Sequence, residues 1–346
     1  MSDKVYIGMS GGVDSSVAAY LLKSQGYDVT GVTMRLCDRY LNGYDDNNIL
    51  AAKSIADKLG IGFKEKDCHD SFTEHVVKNF IETYEAGATP NPCVECNKYI
   101  KFEMLLNGDN KVATGHYAII EHAGGRYKLR KSTNLQKDQS YFLYGLTQEI
   151  LSKTIFPLGE MDKEQVREIA ESQGFSNAHK KDSQDICFIP DGDYATFIES
   201  NTNIKYPAGN FVDMDGNILG KHKGIIHYTI GQRKGLGLAL KKPMYVIKLD
   251  MSRNEVVLAE DNDLFSKELT AKDFNWLSIE NPEKPFRALG RIRYRHQESP
   301  CTVTPNADGT VSVVFDEPQR AITSGQSLVL YDEKTATYVL GGGVII

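Results

Sequence analysis

Long apolar runs are missing from this sequence. No stretch approaches the ~18 residues that a membrane-crossing helix needs, so no membrane partner is expected. Met1-Ser2-Asp3-Lys4 leads straight into a short apolar strand. No basic segment and apolar h-region stand there, so a secretory signal is not expected and the expected compartment is the cytoplasm. Cysteine is sparse, with six in 346 residues. That is too few for a disulfide scaffold, and a cytoplasmic chain keeps its thiols reduced. The open question is which of the six are reactive. An excess of positive charge is also missing: 40 Lys and Arg against 46 Asp and Glu give a net charge of −6. This excludes a protein coated in positive charge but leaves room for a local basic surface. No internal repeat or low-complexity linker is visible. What remains is 41% hydrophobic and 25% charged, as in an ordinary globular protein, which excludes a disordered or collagen-like chain. A length of 346 residues suggests two or three domains.

The first half alternates between strand and helix. Val5 to Met9 reads as a buried strand. Asp14 to Gln25 has helical spacing, with Val17, Leu21 and Leu22 near one face and Gly26 as a stop. Val29 to Leu36 reads as a second strand, and Asn47 to Leu59 as a helix closed by Gly60. Ile61 to Phe63, Ser71 to Tyr84 and Val112 to Thr114 continue the pattern as strand, helix and strand. Such alternation favours an α/β fold whose parallel sheet is covered on both faces. After about residue 200 glycines become frequent. Short strands are expected at Met244 to Leu249, Glu255 to Ala259, Ala288 to Tyr294, Val311 to Phe315 and Leu328 to Tyr331. The expected domains are therefore 1–200, a nucleotide-binding unit, then two small β-rich units at 201–262 and 263–346.

Between the first strand and the first helix stands Ser10-Gly-Gly-Val-Asp-Ser15. Gly11 and Gly12 allow a tight turn that brings backbone N–H groups close to an anion. Ser10, Ser15 and Ser16 add hydroxyls, and the helix N-terminus adds partial positive charge. An N-capped turn would be the plain reading of two glycines alone. The Gly-Lys-Ser/Thr of a Walker loop is absent. The hexapeptide instead resembles the SGGxDS pyrophosphate loop (PP-loop) of ATP pyrophosphatases, which are adenine-nucleotide hydrolase-like proteins. The resemblance implies that ATP is cut between its α- and β-phosphates and that AMP is attached to a substrate oxygen. It also implies that Gly8, Met9, Ser10, Gly11, Gly12, Val13, Asp14 and Ser15 hold the phosphates and that Asp14 faces Mg²⁺.

The cysteines carry the second signal. Pro90 and Pro92 fix an extended approach to Cys93-Val-Glu-Cys96. Asn97 to Leu106 reads as a helix, which puts both thiols near a helix start, where a thiol's pKa is expected to fall. Cys187 stands in Asp185-Ile-Cys-Phe-Ile189. Cys37, Cys68 and Cys301 have no comparable surroundings and read as packing residues. Half of a zinc site is one alternative for the CxxC, although no second CxxC or HxxxH exists to complete it. A thioredoxin-like dithiol is another.

Taken together the segments resemble the tRNA-specific 2-thiouridylases that thiolate a wobble uridine. The resemblance rests on Gly8 to Ser15, Thr89 to Pro92 with Cys96-Asn97, Thr114-Gly-His-Tyr117 and Lys137-Asp-Gln-Ser-Tyr-Phe-Leu143. It continues through Asp185 to Ile189, Tyr228 to Gly237, Arg291-Ile-Arg-Tyr-Arg295 and Ser324-Gly-Gln326. These occur in the family's order across nearly the whole chain. The resemblance implies that ATP adenylates O2 of uridine 34 and that AMP then leaves. Cys187 would carry a persulfide sulfur, and Cys96 would release it, leaving a Cys96–Cys187 disulfide. Met34 and Gly115 would offer backbone contacts to the nucleotide at strand ends. The implied partners are tRNAs of the Lys, Glu and Gln type and a sulfur donor such as a cysteine desulfurase or a relay protein.

One departure stands out. Much of that family has Asp where this chain has Cys93. Cys93, Cys96 and Cys187 could then ligate a [4Fe–4S] cluster that binds sulfide, as in other tRNA thiolases. Two routes of sulfur delivery are therefore expected as alternatives, a persulfide relay and cluster-bound sulfide.

Charge placement points to RNA. Between Asp215 and Asp250 there is no acid, while Lys221, Lys223, Arg233, Lys234, Lys241, Lys242 and Lys248 fall within 34 residues. Arg291, Arg293 and Arg295 alternate, and on a strand they would share one face. A solvated face is the plain reading of such charge; beside the nucleotide and thiol motifs, phosphate contact is favoured. Asn91, Pro92, Cys93, His116, Lys137, Asp138, Gln139, Arg293, Tyr294 and Gln326 match the family's tRNA-contacting positions. His116 is expected in the target-base pocket, with simple packing as its alternative. Two rival readings remain: a PP-loop enzyme that adenylates a carboxylate or amide for nitrogen transfer, and a redox- or zinc-responsive RNA-binding protein without catalysis. Gly174, Lys180 and Lys181 fit a loop that moves the Cys187 thiol.

Overall fold

The computed structural model describes residues 3–37, 40–41, 44–106, 108–180 and 186–346. Asp185 and Lys181, which belong to motifs singled out above, lie outside the described residues.

The first sheet is built from β1 (Lys4–Gly8), β2 (Asp28–Arg35), β3 (Gly62–Asp67) and β4 (Lys111–Ala113). A hairpin of β5 (Ala118–Ala123) and β6 (Arg126–Lys131) follows, and β7 (Thr154–Ile155) returns to the sheet. The order is β3-β2-β1-β4-β7 and every pairing is parallel. The alternation of side chains along β1 explains its two covered faces. Val5 and Ile7 pack with α1 (Val13–Ser24) and α2 (Tyr44–Leu59). Tyr6 packs on the other side, with Val32, Val112, Phe102 and Leu105. The nucleotide-binding α/β architecture read from the sequence is present.

The helix expected over 71–84 runs from His69 to Glu85, with a widened turn at Thr73–Val77. The helix expected from Asn97 begins five residues earlier, at Pro92, because proline suits a first helical position, where no N–H is needed. Another widened turn, Asn97–Lys101, joins it to Phe102–Leu105. Such π-type turns recur at functional sites.

A small mixed sheet follows, made of β8 (Gly209–Val212), β9 (Ile218–His222), β10 (Tyr245–Asp250) and β11 (Glu255–Ala259) in the order β10-β11-β8-β9. Its core residues Phe211, Val246, Val256 and Leu258 share a cluster with Cys37, Cys68, Phe80 and Cys96 of the first unit. The last six strands are β12 (Phe265–Trp276), β13 (Phe286–Arg291), β14 (Ser299–Pro305), β15 (Val311–Arg320), β16 (Ser327–Tyr331) and β17 (Tyr338–Ile345). They run β12-β15-β14-β13-β16-β17, and a β12–β17 pairing closes them into a barrel.

Two differences from the sequence reading matter. The β5–β6 hairpin, from the nucleotide-binding half, pairs with β17 through Arg130↔Tyr338 and Leu129↔Val339. Also, β13 ends at Arg291, so Arg291, Arg293 and Arg295 do not share a strand face. Residues 292–295 form a turn, and of the three arginines only Arg295 is exposed.

Candidate active site

The loops that leave β1, β2 and β4 at their carboxyl ends build one crevice. The β1 loop turns through Gly11, at φ +70°, and a Cβ there would meet the Asn48 carbonyl at 2.7 Å. Only glycine fits that position without strain. Ser15 Oγ accepts from Ser10 N at 3.3 Å and donates to Gly12 O at 3.1 Å, which ties the loop into a concave turn. Met9 and Val13 are buried side chains, so only their backbone groups can face a nucleotide. Gly115, after β4, lies so close that a Cβ would stand 2.8 Å from Ser15 N. Met34 lies near the end of β2 and packs between two core clusters. Strand order reverses between β1 and β4, the place where open α/β sheets bind ligands.

Three side chains that sequence reasoning missed brace this loop. Lys163 Nζ holds both Asp14 carboxylate oxygens, at 2.8 and 2.9 Å, and Tyr117 Oη donates to Oδ1 at 2.8 Å. Asp14, expected to face Mg²⁺, is thus already paired. Asn177 Nδ2 donates to Gly11 O at 3.1 Å and contacts Ser16 Oγ at 3.0 Å. Tyr117 ends the Thr114–Tyr117 segment quoted above, whereas Lys163 and Asn177 lie in no motif; the three come from 103 to 166 residues away.

The thiols converge on the same edge. Cys37 stands two residues past the end of β2, and Cys93 and Cys96 lie on Pro92–Cys96. Cys187, 91 residues beyond Cys96, is brought to them. Cys37 is the neighbour that most strongly lowers the Cys187 thiol's pKa, and Cys187 in turn influences Cys93 and Cys96 electrostatically. Its neighbours Phe188 and Ile189 sit in one apolar cluster with Cys37, Cys68 and Cys96. Cys37, read from sequence as a packing residue, is buried in that cluster. Cys68 and Cys301 are buried, as expected.

The electrostatics overturn one expectation. The helix start does not lower the paired thiols: desolvation raises Cys93 and takes Cys96 up to about 12, despite the nearby Lys101. Cys187 is the thiol whose pKa falls. Donation from Cys37 is the main cause and Lys101 adds to it, while desolvation opposes both; Cys37 is raised in return. Lys101 also faces His116, whose pKa desolvation holds well below the ordinary histidine range. His116 is therefore neutral. Its Nδ1 contacts Thr114 Oγ1 at 2.7 Å, and its ring stacks on Phe102 and meets Phe156 edge-on. Among the described residues no three of His, Cys, Asp or Glu stand close enough to hold a metal ion, so Cys93, Cys96 and Cys187 do not form a ready cluster site.

The residues expected to touch tRNA divide into two kinds. Pro92 and Asp138 are buried. The Asp138 carboxylate accepts from Ser132 N at 3.0 Å, Ser140 N at 3.2 Å and Ser140 Oγ at 2.8 Å. Gln139 Oε1 accepts from Tyr117 N at 3.0 Å, and Tyr294 Oη donates to Asp138 O at 3.1 Å. Arg293 donates to Ala321 O at 2.7 Å, to Thr323 Oγ1, and to Ile230 O at 3.5 Å. Gln326 is spent on the Thr89 and Pro90 carbonyls. Pro92 and Asp138 shape the site from within, while Gln139, Arg293, Tyr294 and Gln326 are partly exposed and also tied into the fold. Cys93 is exposed, and Asn91, His116 and Lys137 are partly exposed. All seven cations of the acid-free segment are exposed, and Arg233, Lys241 and Lys242 line one recess with Gly235 and Gly237.

Residues 3–191 match the tRNA methyl transferase HUP domain family. Residues 195–260 match the tRNA methyl transferase PRC-barrel domain, and residues 266–345 the aminomethyltransferase beta-barrel domain. A tRNA-specific 2-thiouridylase MnmA of Clostridioides difficile (strain 630) is 48% identical, with 100% of this chain and 98% of that protein covered. A protein of the same name from Acetivibrio thermocellus is 49% identical over 99% of each chain. The tRNA-specific 2-thiouridylase MnmA 1 of Clostridium botulinum (strain Loch Maree / Type A3) is 47% identical over 100% of this chain and 99% of that one.

Proposed function

The chain belongs to the tRNA-specific 2-thiouridylase family, and from that membership we propose that it exchanges the O2 oxygen of a wobble uridine in tRNA for sulfur. The observation that carries the chemistry is the gathering of Cys96 in one apolar cluster with Phe188 and Ile189, the neighbours of Cys187, which brings together two thiols 91 residues apart. Methyl transfer would need neither the loop nor the thiols.

ATP is the substrate of the first half-reaction. The Gly11–Gly12 turn, Ser10, Ser15 and the Gly115 backbone cradle its phosphates, and the helix N-terminus behind them favours the anion. Asp14 would hold Mg²⁺ at the phosphates, where the ion would supply charge neutralisation for the departing pyrophosphate. Adenylation of O2 makes it a leaving group as AMP. His116, neutral beside Phe102 and Phe156, offers a flat polar wall for the flipped base.

Sulfur then arrives on Cys187. Its lowered pKa gives it the thiolate needed to take a sulfane sulfur from a persulfide donor, and a second thiol releases that sulfur toward C2. The family resemblance gives Cys96 that second role. A persulfide relay fits the observed thiols better than a cluster, whose three ligands do not stand at metal-binding spacing among the described residues. The exposed cations at 221–248 form the surface for tRNA phosphates.

The test is mass spectrometry of tRNA after incubation with the protein, ATP, Mg²⁺ and inorganic polysulfide. One sulfur-for-oxygen exchange at the anticodon is expected, with one pyrophosphate released per exchange. Pyrophosphate release without sulfur in the RNA would overturn the reading. Full activity only in brown, iron-containing protein would move sulfur delivery to a cluster.

A further inference from the structure

Tyr117 stands between two sites that the reaction must use together. Its ring is almost fully buried and shares a core cluster with Met9, Val13 and Val17 around the pyrophosphate loop. Its hydroxyl donates to Asp14 Oδ1 of that loop at 2.8 Å. Its backbone is held at both polar groups by one residue: Gln139 N donates to Tyr117 O at 2.9 Å, and Tyr117 N donates to Gln139 Oε1 at 3.0 Å. Tyr117 N can only donate, so the Gln139 amide must turn its oxygen inward. That leaves Nε2 of the partly exposed Gln139 without a hydrogen-bond partner among the described residues. The segment around it is held from the barrel side as well. Tyr294 Oη donates to Asp138 O at 3.1 Å, Tyr294 packs on Phe142 with ring centroids 4.4 Å apart, and Phe142 N donates to Gln139 O at 3.0 Å.

We propose that Tyr117 is a positioning residue that couples the two substrates. A hydrogen-bond acceptor of the tRNA takes Gln139 Nε2, Gln139 Oε1 then fixes Tyr117, and Tyr117 Oη fixes the Asp14 carboxylate in the loop that receives ATP. The inference rests on the thiolation reading above and adds to it that ATP binds tightly only once tRNA is in place. No large movement is required. An RNA group on Nε2 removes the freedom of a side chain that is tied at one end only. ATP, which needs the same series of groups ordered, then loses less entropy when it binds. Lys163 offers the contrast: it holds the same carboxylate, at 2.8 and 2.9 Å, from the start of another helix, Lys163–Ser172.

The experiment measures binding in the full chain, without turnover. Affinity for α,β-methylene-ATP, which resists cleavage between those phosphates, is read by calorimetry in Mg²⁺ with and without a saturating unmodified tRNA that carries a wobble uridine. Wild type should bind the analogue about fivefold or more tightly with tRNA present, and tRNA should gain the same factor from the analogue, because such coupling is reciprocal. In Tyr117→Phe, which keeps the ring and its backbone bonds, the ratio should fall to near one. Gln139→Met, which breaks the link at its other end, should lose the ratio too. Lys163→Met should weaken the analogue by one factor in both arms and so keep the ratio. A wild-type ratio near one, a ratio retained in Tyr117→Phe or Gln139→Met, or one lost equally in Lys163→Met overturns the inference. Sulfur plays no part in these measurements. A chain with coupled binding that leaves tRNA unthiolated refutes only the proposed function, and one that thiolates with uncoupled binding refutes only this inference.

Discussion

The Gln326 side-chain amide reaches from the barrel to the carbonyls of both Thr89 and Pro90, at 3.1 Å each. Beside it, Thr89 N donates to Ser324 O at 2.8 Å. The barrel thus grips the two residues that lead into the Cys93–Cys96 helix. Gly325 makes the grip tight: it sits at φ +85°, and a Cβ would stand 2.7 Å from Thr89 O. Gly325→Ala should therefore cost about 1–3 kcal/mol from backbone strain and free the thiol helix. A fall in the thermal midpoint together with faster alkylation of Cys96 would show it. An unchanged Cys96 rate would mean that the grip does not position the thiol.

Lys101 should add to the reactivity of Cys187. The depressed thiol is expected to alkylate half-maximally below the ~8.5 of an ordinary cysteine, and Lys101→Met should move that midpoint upward. The check is peptide mass spectrometry of iodoacetamide labelling across pH. A midpoint that stays in place would remove Lys101 from the account.

Arg293 should act on stability rather than on salt dependence. Its guanidinium is committed to Ala321 O, Thr323 Oγ1 and Ile230 O, joining the turn before the central loop to the barrel. Hydrogen bonds to a charged group contribute about 1.5–3 kcal/mol, so Arg293→Ala should lower the thermal midpoint. The slope of tRNA affinity against salt should hold for Arg293→Ala and flatten by about one for each of Arg233→Ala and Lys241→Ala. A flattened slope in Arg293→Ala would return it to the phosphate surface.

His116 predicts a pH effect whose sign is fixed by its depressed pKa. In the unfolded chain it takes a proton near the ordinary value of about 6.5, while in the folded chain it stays neutral to lower pH. The unfolded state therefore binds more protons as pH falls through that window, and stability drops. Wild type should lose more of its thermal midpoint than His116→Gln between about pH 7 and 5. Equal losses would mean that His116 does not remain neutral in the fold.

The Asp14–Lys163 pair should matter for ATP. Losing one partner of a fully buried pair costs about 3–5 kcal/mol. Asp14 keeps 30% of its side-chain exposure, so Lys163→Met should cost less in stability. The larger effect expected is on pyrophosphate release, because the loop loses its brace. Normal release with intact folding would leave Lys163 a bystander.

What could be read in the sequence was local. The pyrophosphate loop is a single run of residues whose shape follows from glycine and serine chemistry, and its strand and helix flanks have clear periodicity. Lys163 and Asn177 could not be read because the loop they brace is far along the chain and their neighbours form no motif. Several residues of the expected tRNA-contacting set are also tied into the fold. Asp138, Gln139 and Gln326 are polar, and a sequence does not say whether a polar group faces solvent or a buried N–H. Strand β17 is not among the strands expected above, and its Gly341, Gly342 and Gly343 show no apolar alternation. Packing selects them: a Cβ on Gly342 would lie 2.7 Å from the Tyr144 ring, and one on Gly341 would lie 2.4 Å from Asn275 O.

The β5–β6 hairpin gives the chain a problem of timing. Lys131 leaves the ribosome more than 200 residues before Tyr338, the first residue of the strand that β6 pairs with. At about 5–20 residues per second, this half-made sheet edge waits for tens of seconds with its partner still untranslated. Nascent chains stalled after residue 200 should therefore recruit a holdase or stick to one another, and separating the modules at their borders would make that transient hazard permanent.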